Sequence, residues 1–208
     1  MSKLDDLAKR TQEGSTSERP PNSLDDNVPP KNHAARVAAF TIAIARQMGL
    51  PKGEIDVIAR GAYLQDIGKL AIDHAILLKP GALTPEETVR MREHCLLGYK
   101  MLKNIPHLAG ADEIVYSHHE NYDGTGYPRG LKGEQIPSGA RIVAVANTLD
   151  SITTNLPYRT AQSLDAAQAE TQRCSGHQFD PGIVKIFLRI PDKIWTDIMQ
   201  SLHRQPPA

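Results

Sequence analysis

At 208 residues, with 40% apolar and 23% charged side chains, the chain can bury one core of ordinary size. Its 24 basic and 24 acidic residues cancel, which excludes a global pull toward nucleic acid or an anionic membrane. No apolar run nears the roughly 18 residues a membrane span needs. With only Cys95 and Cys174 and a polar start, there is no disulfide framework, no CxxC metal motif and no signal peptide, so a reducing cytoplasm is the expected setting.

Residues 1–30 are poor in large apolar side chains and end Asn27-Val28-Pro29-Pro30. Such a segment buries too little to offset its ordering entropy and reads as a disordered tail, with room for a short helix at Leu4–Arg10. The remainder, 31–208, reads as one all-α domain, a bundle of about seven or more helices. Val37, Phe40, Ile44 and Met48 recur at helical spacing from Asn32, until Gly49 and Pro51 stop the run. A second helix, about 52–67, sets Ile55, Ile58 and Ala62 on one face, carries Gln65 and Asp66 one turn on, and closes at Gly68.

Thr84-Pro85-Glu86-Glu87 predicts a capping box that opens a helix running past His94 to about Lys103. Another helix, about 110–119, ends in His118 and His119. Ser138 is the expected cap of a helix over 139–154, with Ile142, Val145, Ala146 and Leu149 as its apolar side and Asn147 on its flank. Ser163, Asp180-Pro181 and Pro191-Asp192 mark three further starts. Strand signals are nearly absent.

The stretch from Tyr116 to Pro128 draws attention because it sets two adjacent imidazoles before a Gly-rich turn. On an ideal helix His118 and His119 diverge by about 100°, so both reach one centre only if the helix ends there or two metals are present. Asp66 sits at a helix C-terminus, where the dipole disfavours an anion, and this calls for a positive partner. His94 lies within a predicted helix and His33 at the start of another. Taken singly, each has an ordinary structural explanation. Jointly they supply imidazoles and one carboxylate, the donors that suit Zn, Fe, Mn or Ni.

From His33 to Pro181 the chain resembles the HD-GYP family, a branch of the HD-domain metal phosphohydrolases. The resemblance rests on His33-Ala34-Ala35-Arg36-Val37, Asp66-Ile67-Gly68-Lys69, His94 and His118-His119-Glu120. It continues in Asp123-Gly124-Thr125-Gly126-Tyr127-Pro128, the Ala140–Ala146 segment, Pro157-Tyr158-Arg159 and Phe179-Asp180-Pro181. It implies hydrolysis of cyclic di-GMP to pGpG or GMP at a metal centre. Metal ligands would be His33, Asp66, His94, His118 and His119, with the last four sharing one subsite. Asp66 and Lys69 would serve catalysis, and Lys69, Tyr127 and Arg159 would hold the substrate.

The chain also departs from that pattern. The family's His-Asp doublet is Gln65-Asp66, its later metal Asp is Asn147, an upstream Glu falls near Pro29, and a phosphate-binding Arg aligns with Leu156. Two dications about 4 Å apart repel by on the order of 16 kcal/mol at an effective dielectric near 20. Asp66 is the one acidic ligand left, and Gln65 and Asn147 offer neutral amide oxygens, which are weak ligands. The expectation is one divalent metal per chain.

Two readings follow. One is a degenerate member that binds cyclic di-GMP, or a signalling partner such as a diguanylate cyclase, with weak or no hydrolysis. The other is an active phosphodiesterase.

Overall fold

The structure, a computed structural model, describes residues 32–155 and 159–203. The expected tail, the Leu4–Arg10 helix, Pro29 and Leu156 lie outside the described residues. Among those described, no named strand occurs, and the all-α expectation holds. The helices are α1 (His33–Gln47), α2 (Lys52–Leu64), α3 (His74–Leu77), α4 (Pro85–Arg92), α5 (His94–Leu102), α6 (Ala111–Ser117), α7 (Ser138–Thr153), α8 (Leu164–Arg173), α9 (Pro181–Phe187) and α10 (Asp192–His203). Short 3-10 turns cover Ile67–Ala71, Pro106–Leu108 and Gly133–Gln135.

The apolar spacing read from the sequence becomes the core. Val37, Phe40 and Ile44 of α1, Ile58 and Ala62 of α2, Ile114 of α6 and Ile142, Val145 and Leu149 of α7 are all buried together. Helix α7 is covered on nearly every side, since Ala140, Val143 and Asp150 are also buried. Such all-round burial makes it the central post, with α1, α2, α6 and α8 packed around it. Helix α10 docks through Trp195, whose ring meets Phe40 edge-on at 5.8 Å and Phe187 at 5.3 Å. No helix among the described residues is long and apolar enough to cross a membrane.

Local signals succeed where caps are explicit. The Thr84–Glu87 capping box forms, Ser163 caps α8 through Ala166 N–H, and Asp180 caps α9 through Gly182 and Ile183. Two expectations are corrected. The single helix expected over 84–103 is two, broken at Glu93, where the His94 ring turns back so that its Nδ1 lies 2.8 Å from the Met91 carbonyl oxygen. Side-chain competition for a backbone carbonyl of this kind opens a helix locally. Ser138 makes no cap bond, because Pro137 takes the cap position and Ser138 is already helical.

One glycine decides how closely the site is drawn together. A Cβ on Gly68 would stand 1.9 Å from the His94 carbonyl oxygen and 2.5 Å from the Gly98 nitrogen. The turn carrying Asp66 therefore lies directly on α5 only because residue 68 has no side chain. Gly68→Ala is expected to cost about 3 kcal/mol, the upper end of ordinary overpacking, because backbone rather than a side chain must give way. Urea unfolding of the variant checks this.

Candidate metal centre

Three segments converge beside α7. Helix α2 stops at Leu64, and Gln65 and Asp66 follow in the turn before Ile67–Ala71. Helix α5 opens with His94, and α6 closes at Ser117, leaving His118 and His119 in the turn beyond. The helix does end at the imidazole pair, which removes the 100° divergence. The two rings lie 4.1 Å apart, and each faces His94, at 5.3 Å for His118 and 5.2 Å for His119.

Backbone carbonyls fix two of these rings. His94 Nδ1 is 2.8 Å from Met91 O and His118 Nδ1 is 2.8 Å from Val115 O. A carbonyl only accepts, so Nδ1 of each ring carries the proton and each Nε2 presents a lone pair. Those two Nε2 atoms are 3.3 Å apart. Two buried lone pairs repel unless a cation lies between them. Nitrogen donors about 2.0–2.1 Å from a tetrahedral ion sit roughly 3.3–3.4 Å from each other. The donor spacing therefore fits a transition-metal ion.

Electrostatics favour the same outcome. Burial, then the neighbouring His94, brings His118 down to about 3. Burial and the adjacent imidazoles hold His119 well below the ordinary histidine value, and burial lowers His94. Neutral rings keep their lone pairs for a metal. Asp66 Oδ1 is 3.6 Å from His94 Nε2 and 3.2 Å from Lys69 Nζ. Burial would raise the Asp66 carboxyl, but the Lys69 ammonium beside it holds it below the ordinary carboxylate range. The positive partner required at this helix end is thus present in Lys69.

Cys95 is a residue the sequence reading passed over. It forms a four-donor group with His94, His118 and His119, all ligand atoms within 4.8 Å of one another. Its Sγ lies 3.5 Å from His94 Nε2, and burial pushes the thiol up, so by itself it remains protonated. Its place beside His94 was the available signal.

The remaining predicted residues are placed differently. His33 is buried, with Nδ1 2.7 Å from Asp150 Oδ2, and its Nε2 lies 3.9 Å from Asp66 Oδ2. Gln65 Nε2 is 3.1 Å from His33 Nε2 and 3.4 Å from Asn147 Oδ1, so Gln65 brings its amide nitrogen to this side of the site rather than the expected oxygen. Tyr127 stacks on the His119 ring at 4.8 Å and 16°, and the Arg92 guanidinium lies over Tyr127 at 4.8 Å. Arg159 donates to the carbonyl of Ser151, one turn beyond Asn147 on α7.

The Gly-rich loop is held by a buried carboxylate. Glu120 accepts from Arg129 N–H at 2.8 Å and from Leu131 N–H at 3.0 Å, so the far end of the loop is tied back to the residue that starts it. Gly126 lets the loop close, since a Cβ there would stand 2.2 Å from the Asn121 nitrogen. The Tyr127 N–H then reaches the His119 carbonyl at 3.1 Å, which seats the tyrosine on that ring.

Comparison with known proteins agrees with this architecture. The family model for the HD domain matches residues 22–183. A cyclic di-GMP phosphodiesterase of Thermotoga maritima is 41% identical over 168 residues, covering 80% of this chain and 45% of that protein. The cyclic di-GMP phosphodiesterase response regulator RpfG of Xanthomonas campestris pv. campestris is 43% identical over 148 residues, covering 70% of this chain and 39% of that protein. The chain thus spans less than half the length of these curated relatives. A solved structure of a cyclic GMP-AMP specific phosphodiesterase of V. cholerae superimposes with TM-score 0.65 at 21% identity, covering 86% of this chain and 50% of that one, a likeness of fold. On the strength of the family match across most of its length, this chain belongs to the HD domain family.

Proposed function

We propose that this domain acts in cyclic di-GMP signalling as a binding module that holds one divalent transition-metal ion on Asp66, His94, His118 and His119. The observation that carries this reading is the 3.3 Å approach of two backbone-anchored Nε2 atoms, beside a neutral Gln65–Asn147 pair where a second ion would need charge. An ion there supplies Lewis acidity and positive charge to a phosphodiester. Lys69 adds its ammonium beside Asp66, and Tyr127 keeps the His119 ring oriented by stacking. Arg159 is the further cation proposed for the ligand. With neutral Gln65 and Asn147 where a second ion would need charge, one ion would leave part of the charge developed in cleavage uncompensated, so retention of the dinucleotide outweighs cleavage. The Gly126-Tyr127-Pro128 loop offers a surface for a signalling protein such as a diguanylate cyclase.

A second reading, metal-dependent hydrolysis of cyclic di-GMP to pGpG or GMP, is favoured by the names of the relatives, which are phosphodiesterases. One sample separates the two. Purified protein is expected to carry close to one metal ion per chain by ICP-MS. It should bind cyclic di-GMP in calorimetry and convert little of it to pGpG by HPLC with Mn or Fe supplied. Two ions per chain with rapid turnover would establish the second reading instead.

A further inference from the structure

His33 and Gln65 form a unit that the metal site, as described, does not use. Asp150 is 1% exposed and accepts from His33 Nδ1 at 2.7 Å, while its other oxygen accepts from Arg36 Nε at 2.5 Å. An ionised carboxylate only accepts, so Nδ1 of His33 carries a proton, and in the neutral ring Nε2 presents a lone pair. A group within hydrogen-bond reach of Nε2 must then donate, and Asp66 Oδ2, at 3.9 Å, lies beyond that reach. Gln65, 1% exposed, meets it with the amide nitrogen at 3.1 Å, and the same NH2 group reaches Asn147 Oδ1 at 3.4 Å. The orientation of the amide is therefore imposed by Asp150, two contacts away. Its consequence is visible in Gln65 Oε1, which is buried with no hydrogen-bond partner.

We infer that Gln65 closes this side of the site as a hydrogen-bond donor, forming a neutral His33–Gln65–Asn147 unit that withholds His33 from metal and shuts out a second dication. In this chain His33 is then a positioning residue. A second ion would need the Nε2 lone pair, an anionic oxygen at position 147 and free space. The lone pair is engaged, the oxygen belongs to an amide, and the space holds the positive ends of N–H dipoles. These hydrogens oppose a cation as directly as a missing carboxylate fails to attract one. The inference rests on the one-ion reading above.

Histidine ring nitrogens of the full 15N-labelled chain, followed by NMR during a Zn(II) titration, test it. The Nε2 signals of His94, His118 and His119 are expected to move. His33 should remain protonated on Nδ1, with its Nε2 signal unshifted at saturation. A His33 Nε2 signal that moves with the others would overturn the proposal. In metal-free protein, Gln65→Ala and Gln65→Met, the latter matching the length of glutamine without its donor, should move His33 Nε2 toward the value of an unbonded lone pair. No movement in either folded variant would also overturn it. If Zn(II) shifts no ring at all, the one-ion reading fails, while the metal-free comparison still decides the Gln65 contact.

Discussion

Replacing Gln65 by His and Asn147 by Asp together should raise the metal content from one ion per chain to two and cyclic di-GMP turnover by about 100-fold or more, the scale on which one preorganised charge-stabilising group acts. Magnitudes explain why both changes are needed. Two dications about 4 Å apart repel by on the order of 16 kcal/mol at an effective dielectric near 20, and a carboxylate about 4 Å from each attracts each ion by on the order of 8 kcal/mol. Asp66 alone only balances that repulsion and leaves the dehydration of both ions unmet. A carboxylate at 147 breaks the tie. Asn147→Asp alone leaves the Gln65 NH2 in place, already directed at that oxygen from 3.4 Å. Gln65→His alone removes those hydrogens and adds a donor without charge. Each single change is therefore expected to leave the count near one. ICP-MS and HPLC on the four proteins check the pattern; a double variant that still holds one ion would mean that charge shortage is not what limits the site.

The helices were legible wherever their determinants are local. The spacing of Val37, Phe40 and Ile44, the capping box at Thr84 and the cap at Asp180 each lie within two turns of chain, and each appears as read. The segments Ile67–Ala71 and His74–Leu77 escaped because five or four residues cannot display a 3.6-residue period. The His118-His119 pair was legible as chemistry, yet its convergence on His94 depends on α6 ending at Ser117, two residues short of the expected end, which periodicity resolves poorly. The Asp150 network was not legible at all. Asp150 lies 114 positions from Arg36 and 117 from His33, and in sequence it is one polar residue near the end of an apolar helix. With it went the orientation of Gln65, because a neutral amide reads as a weak ligand until the proton on His33 is located. Tyr127, marked by resemblance as a substrate contact, stacks on the ring of His119, a role that only the closed loop reveals.

Asp150→Ala should cost about 3–5 kcal/mol of folding stability, the range for removing one partner of a buried ion pair. The carboxylate is 1% exposed and gathers His33 Nδ1, two nitrogens of Arg36 and the Thr154 hydroxyl at 3.3 Å, tying the start of α1 to the end of α7. Asp150→Asn keeps the shape but turns an NH2 toward groups that donate, so it should recover only part of the loss. The pH dependence follows from the same contacts. Burial would raise this carboxyl, but the His33 and Arg36 hydrogen bonds hold it below the ordinary value. A group depressed in the folded state contributes stability above its unfolded pKa of about 3.9, and that contribution fades as pH falls through the lower folded value. Urea unfolding should therefore show the gap between wild type and Asp150→Asn widest at about pH 7 and narrowing below about pH 4. Folded Asp150→Asn should still bind one ion, because His94 and His118 are anchored on the carbonyls of Met91 and Val115 rather than on this network. Loss of that ion together with the stability would instead make Asp150 part of the metal site's own support.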